Sequence, residues 1–334
     1  MISLVFPILA TTGLSLVLYV TGFFVIFTPL PYLLTFFKKG WWVSLAATVL
    51  SLVLLVFLYR KPAEPFTFLP MMAFYPALPL KVVMGLSILY LSYYLWISWV
   101  VALGSGALKG FNREVGFAGM MLAILIPTVA GYFLLSVLTG THLSHDLGEA
   151  FQVILQKVVD LQTSSQSGGG MSAEELAYLK EYTPDLVQGF LGIFPSLWVV
   201  FTMLVLSVNL LFVRRWLVES RPFPKWDEFN LWRLGERWIW APIAGGGLYF
   251  FNIYVVRKDF LEIGLINGLI VLGAVYFCQG LAIVSYFFRK KLSTWTRLAA
   301  YMAIFLFIQV VGVLILAIGL FDFWFDFRKL KKVA

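Results

Sequence analysis

The chain has 334 residues, of which 61% are hydrophobic, 18% aromatic and only 13% charged, with a formal net charge of +8. A mean hydropathy of +0.89 excludes an ordinary soluble domain, where roughly a quarter of residues are charged. The absence of sustained apolar–polar alternation excludes a membrane barrel. A basic excess in such a chain belongs to short cytoplasmic loops rather than to nucleic-acid binding, and the single cysteine, Cys278, allows no internal disulfide.

Apolar stretches follow one another at about 2–20, 22–37, 41–59, 82–104, 115–139, 190–213, 238–256, 261–287 and 298–321. Crossing a hydrocarbon core of about 30 Å takes roughly 20 such residues in a helix. The expected fold is therefore all-α, a polytopic transmembrane helix bundle of eight or nine spans with a polar helical hairpin inserted. The N-terminus has no basic residue ahead of its apolar run and reads as a retained first helix. The second stretch is short and carries "TPLP", so it is expected to be re-entrant or tilted. The proline-rich 61–80 reads as a surface loop or short re-entrant element.

Residues 141–189 form the one sizeable polar insertion, with seven acids against Lys157 and Lys180, a net −5. Leu143, Leu147, Phe151, Ile154, Val158 and Leu161 step at helical spacing, "TSSQSGGG" interrupts, and Ser172 with Glu175 makes a capping box for a second helix. The stretch 214–237 carries six basic and four acidic residues among prolines and tryptophans, which suits a cytoplasmic membrane surface. Four regions result: N-terminal transmembrane helices at 1–140, an acidic extracytoplasmic hairpin at 141–189, C-terminal transmembrane helices at 190–322, and an amphipathic basic tail at 323–334. The two polar regions orient the chain with its N-terminus cytoplasmic. The tail's side stays open: it lies outside if 238–256 spans and inside if that segment is re-entrant.

The tail, "GLFDFWFDFRKLKK", is amphipathic both as a strand and as a helix. Continuity with the apolar run before it favours the helix, with Phe323, Phe327 and Leu330 on one stripe. Arg328, Lys329, Lys331 and Lys332 would meet headgroups, and Trp324 would sit in the interface. Asp322 and Asp326 do not suit a lipid anchor. They call for basic partners within the chain, in the 214–237 stretch or among Arg289, Lys290 and Lys291, which would make the tail a docking element.

Four passages together resemble a known group: "PLPYLLTFFKKGWW", "FPSLWVVFTMLVLSVNLLFVRRWL", "PFPKWDEFNLWRLGERWIWAP" and "GLFDFWFDFRKL". Over nearly the whole chain the pattern resembles the YybS-like family of bacterial multi-spanning membrane proteins, which implies the architecture and a bacterial inner membrane but no particular substrate or reaction. The opening plan of a helix, a short proline-containing helix, a glycine turn at Gly40 and another helix is more distantly similar to the substrate-binding S-components of energy-coupling-factor transporters. Those capture vitamins or metal ions. This chain departs from them in its length, its hairpin, its three later spans and the lack of an alanine-x-x-x-alanine stripe in the first helix.

No Walker A loop, G-x-S-x-G, H-E-x-x-H or C-x-x-C is present, and no motif implies a cofactor. In "THLSHDLGE", His142, His145, Asp146 and Glu149 would share a helix face and could hold a divalent transition metal; the alternative is a solvated face. The spans hold amides instead of charges: Asn209, Asn252, Asn267, Gln279 and Gln309. Each either joins two helices or lines a site for a neutral or zwitterionic ligand. Gly245, Gly246 and Gly247 in "APIAGGG" would either unwind the helix towards a ligand or pack against the Gly264/Gly268 pair. The leading expectation is a protein that binds or carries a small molecule. A scaffold that recruits a protein partner through 141–189 or 214–237 is the alternative, and an enzyme acting on lipid or envelope precursors comes third, since no acid, base or nucleophile stands at membrane depth.

Overall fold

A computed structural model describes residues 2–22, 24–59, 78–107, 113–140, 142, 145–146, 148–153, 156, 173–217 and 229–329. The 61–77 loop, the "TSSQSGGG" connector, Ser172 of the capping box, Leu330 and the last two lysines of the tail lie outside these residues. Every regular element among the described residues is helical. The long helices are α1 (Ile2–Val20), α2 (Pro29–Lys39), α3 (Trp41–Tyr59), α4 (Leu80–Ala107), α5 (Arg113–Thr139), α6 (Ala173–Leu217), α7 (Trp240–Phe251), α8 (Asp259–Lys291), α9 (Thr294–Leu306) and α10 (Ile308–Phe325). Among the described residues, six segments are long and apolar enough to cross a membrane: Lys81–Gly104, Val115–Thr139, Glu181–Arg215, Glu236–Val256, Asp259–Lys291 and Ile308–Phe325; Leu4–Val20 and Trp41–Phe57 are shorter apolar helices. The all-α membrane bundle read from the sequence is the observed class.

The chain divides into two units, Met1–Leu191 with Phe201–Lys225, and Gly192–Val200 with Trp226–Ala334. In the first, α2 packs against α1, α3 and α4. Pro29 and Pro31 stand in its first turn, where a missing N–H costs nothing, and Gly40 at φ 97° ends it after Lys38 and Lys39. Basic residues there complement the negative end of the helix dipole. Its 11 residues, about 16 Å at 1.5 Å each, are too few to cross a bilayer. Pro29, Leu30, Pro31, Tyr32, Leu33 and Thr35 are all buried, so α2 is an interior element sheathed by longer helices.

In the second unit, a helical stretch from Glu236 to Val256 runs through a 3-10 turn (Glu236–Ile239), α7 and a π turn (Asn252–Val256). Its 21 residues reach about 31 Å, a full crossing. Gly245–Gly247 stay helical within it, so the locally unwound helix that these glycines could have produced is absent. Their packing partner also differs. Gly245 faces Leu269, while Gly264 and Gly268 have open space beside them.

Close helix packing occurs elsewhere, between α8 and α10. A Cβ on Gly280 would overlap the Ile315 carbonyl, and one on Gly319 would overlap the Tyr276 carbonyl, so only glycine permits this backbone approach.

The last apolar stretch, 298–321, reads as a single span in sequence but is two helices. Phe307, at φ −105° and ψ 24°, separates α9 from α10. This break changes the parity of the C-terminal third. Arg289, near the end of α8, donates to Asn230 Oδ1 at 3.1 Å, and Arg328, just beyond α10, donates to Asn230 O at 3.0 Å. Both helices therefore finish at the segment that precedes α7. A span-length α7 and a tail returning to the 229–234 segment coexist, a combination that neither sequence alternative contained.

The helical tail is also shorter than its periodicity suggested. α10 ends at Phe325, and Asp326 takes a left-handed conformation at φ 40°. Phe327 therefore lies past the helix rather than on a stripe with Phe323.

Candidate functional site

Two polar clusters stand out, one in each unit. The first surrounds α2. Hydroxyl pairs join Thr11 to Thr35 and Tyr32 to Ser51, each at 2.5 Å. Further hydroxyls satisfy backbone carbonyls: Thr12 donates to Ala47 O, Ser15 to Thr28 O, Ser44 to Tyr32 O, and Ser98 to Pro29 O. Tyr93 donates to Thr202 Oγ1 at 2.9 Å. From α6, Asn209 Nδ2 donates to Ile26 O and to Val205 O, both at 2.8 Å. Such bonds are required where polar groups leave water.

Two atoms break this pattern. Thr28 Oγ1 and Asn209 Oδ1 are buried and have no hydrogen-bond partner. Asn209 cannot resolve the matter by turning over, because its amide nitrogen already faces two carbonyls; its oxygen faces elsewhere and awaits a donor. Both atoms flank the same short passage, the turn at Val25–Phe27 that leads into α2. Among the described residues the buried polar side chains of this unit are Thr, Ser and Asn, none of which carries a formal charge.

The second cluster is the tail clamp. Asp322, at the last turn of α10, accepts Arg328 Nη2 at 3.0 Å, with both side chains fully buried. The same carboxylate accepts Gln279 Nε2 at 3.2 Å and the Phe327 N–H at 3.1 Å. Arg328 Nη1 donates to the carbonyls of Asn230 and Trp232. In return, Arg233 donates to Asp326 Oδ1 at 3.1 Å and to Asp322 O at 3.4 Å, and Leu234 N donates to Gln279 Oε1.

The left-handed Asp326 makes this possible. It turns the chain back immediately after the helix, so that Arg328 points at the carboxylate six residues earlier. A buried ion pair is tolerable only when its remaining lone pairs and protons are also satisfied. Here that holds for every polar atom of the pair except Arg328 Nε. Trp324 and Lys329 remain exposed.

The amides expected to line a ligand site are engaged separately. Asn252 closes the α7–α8 turn, with Oδ1 accepting from Lys258 N and Nδ2 donating to Lys258 O. Asn267 accepts from Ser196 N at 2.8 Å and donates to Gly192 O at 2.7 Å. Gln279 belongs to the clamp, and Gln309 is exposed.

In the acidic insertion, His145 lies 3.9 Å from Asp146 and 3.6 Å from Glu149, and His142 supplies only its carbonyl to the same turn. Among the described residues no three His, Cys, Asp or Glu side chains form a set that could hold a metal ion.

Sequence reasoning did not single out Thr28, Asn230 or Arg233. Thr28 has no periodic or charge signature. Arg233 and Asn230 could have been sought as the partners that two uncompensated aspartates require.

Long apolar helices whose lipid-facing side chains are exposed, with buried polar groups matched internally, define a polytopic helical integral membrane protein. The chain belongs to the family described as "Predicted membrane protein (DUF2232)", whose model matches residues 4–323, in agreement with the resemblance to a multi-spanning membrane family. Comparison with curated proteins and with solved structures gave no match.

Proposed function

We propose that this protein binds a small uncharged molecule inside its first unit, at the turn leading into α2, as a carrier or substrate-capturing component would. The observation that carries this reading is the pair of buried, unpartnered atoms Thr28 Oγ1 and Asn209 Oδ1. Leaving such groups unsatisfied costs about 1–3 kcal/mol each, a cost that a bound molecule with at least one hydrogen-bond donor would offset. The uncharged lining favours a neutral ligand over an ion. The location assigned to the cell, a bacterial inner membrane with the N-terminus inside, belongs to the same reading.

Native mass spectrometry of protein released gently from its own membranes tests it. A discrete small-molecule adduct is expected on the wild type and should be lost from Asn209→Leu and weakened in Thr28→Val. An adduct of equal abundance in all three, or none in the wild type, would sink the idea and leave those atoms to ordered water.

A second reading, a scaffold, draws on α6. Its 45 residues measure about 68 Å, more than twice the hydrocarbon thickness. Near its outer part Tyr182 and Leu186 are exposed beside Glu181 and Asp185. A stoichiometric protein partner lost on Leu186→Glu, without effect on the adduct, would favour it.

A further inference from the structure

The tail was the natural candidate for contact with anionic lipid, but Arg328 is consumed by Asp322 and two carbonyls. A basic group of this unit gathers elsewhere, where α8 ends and α9 begins. Lys290 and Lys291 are exposed, and their equally exposed neighbour Arg289 is engaged with Asn230. Arg297 Nη2 donates to Thr294 Oγ1 at 3.0 Å, which holds the guanidinium back towards the start of α9 and hence towards the two lysines. No Asp or Glu occurs between Glu262 and Asp322, and Asp322 is already paired, so the cluster has no acidic neighbour on its own stretch of chain.

α9 itself is as open as α7. It buries none of its residues. Trp295, Leu298, Met302 and Phe305 lie at i, i+3, i+7 and i+10, one continuous stripe, and are exposed by 81%, 55%, 53% and 63%. Its 13 residues reach about 20 Å, and because α8 and α10 both finish beside Asn230, α9 carries the chain from that end back towards the start of α10. An apolar stripe with a tryptophan at its head, beside the cations at the end of α8, presents an interfacial aromatic at headgroup level and apolar side chains to the acyl chains below it.

We propose that Lys290, Lys291 and Arg297, with the apolar face of α9, form a seat for anionic phospholipid. The three cations take the headgroup phosphate, Trp295 sits at headgroup level, and Leu298, Met302 and Phe305 rest on the acyl chains. The occupant is a lipid rather than a protein because, among the described residues, no acid pairs with the three cations and the stripe has no polar residue to specify a partner. Phosphate is the common acidic group that every anionic headgroup supplies.

The test uses the full-length protein in mild non-ionic detergent, titrated with phosphatidylglycerol or with phosphatidylcholine of the same acyl chains, and read by native mass spectrometry. The wild type should retain phosphatidylglycerol in preference. Three charges at a leaflet surface together amount to a preference on the order of 100-fold. Lys290→Gln/Lys291→Gln/Arg297→Gln should abolish most of that preference while eluting as a monodisperse species, and Lys290→Arg/Lys291→Arg should keep it. Lys38→Gln/Lys39→Gln, which alters an exposed basic pair in the other unit, should also keep it. No preference in the wild type, a preference that survives the triple substitution, or one that follows Lys38 and Lys39 instead would each overturn the proposal.

Discussion

Replacing Arg328 by methionine preserves most of the side chain's length and removes three hydrogen bonds at once: one to Asp322 and one each to the carbonyls of Asn230 and Trp232. Deleting one partner of a buried ion pair costs about 3–5 kcal/mol, because the other charge stays buried. Asp322 keeps the Gln279 and Phe327 donors, which places the expected loss towards the lower end, about 3–4 kcal/mol. Adding Asp322→Asn removes the stranded charge and leaves a group that still accepts from Phe327. The double variant should therefore recover about 1–2 kcal/mol relative to Arg328→Met alone, with the two orphaned carbonyls accounting for what remains. Unfolding in mixed micelles, titrated with SDS and followed by aromatic signals, measures all three proteins. A loss below about 1 kcal/mol for the single variant, or a double variant less stable than the single one, would refute the clamp as the element that secures the end of α10.

Gly280→Ala should cost about 1–3 kcal/mol by forcing α8 and α10 apart, whereas Gly264→Ala, beside open space, should stay within about 0.5 kcal/mol of wild type; parallel thermal unfolding separates them. Asn267→Leu removes bonds to Gly192 and Ser196 and should destabilise by about 1–2 kcal/mol, read in the same assay. In a Cys278→Ser background, cysteines at Leu231 and Lys329, both exposed, should react with a membrane-impermeant maleimide from the same side; labelling from opposite sides would contradict the contact between the tail and the 229–234 segment.

Much of this molecule can be read along its chain. The excess of apolar over charged residues sets the helical membrane class, since in lipid every backbone group must find a partner within its own segment. The prolines of "TPLP" and the glycine at 40 mark off α2 as a separate short helix, because their constraints act on the backbone locally. The two aspartates of the tail announce that they need cations, since a carboxylate near lipid has no other means of remaining charged.

What the chain alone left undecided depends on neighbours distant in sequence. Hydropathy runs unbroken through Phe307, and only the fold divides that run into α9 and α10 and brings the tail back to Asn230. Periodicity carried the tail helix through Phe327, yet Arg328 must turn to reach Asp322, and that demand ends the helix at Phe325. Gly280 and Gly319 look no different in sequence from Gly264 and Gly268, because a glycine is required only where another backbone arrives. Among the amides of the apolar stretches, Asn252, Asn267 and Gln279 are alike in sequence to Asn209. Tertiary structure gives each of the first three a donor or acceptor on both sides, while the fourth bonds the turn into α2 through its nitrogen and keeps its oxygen without a partner, for hydrogen bonding is decided by where two segments meet rather than by either segment alone.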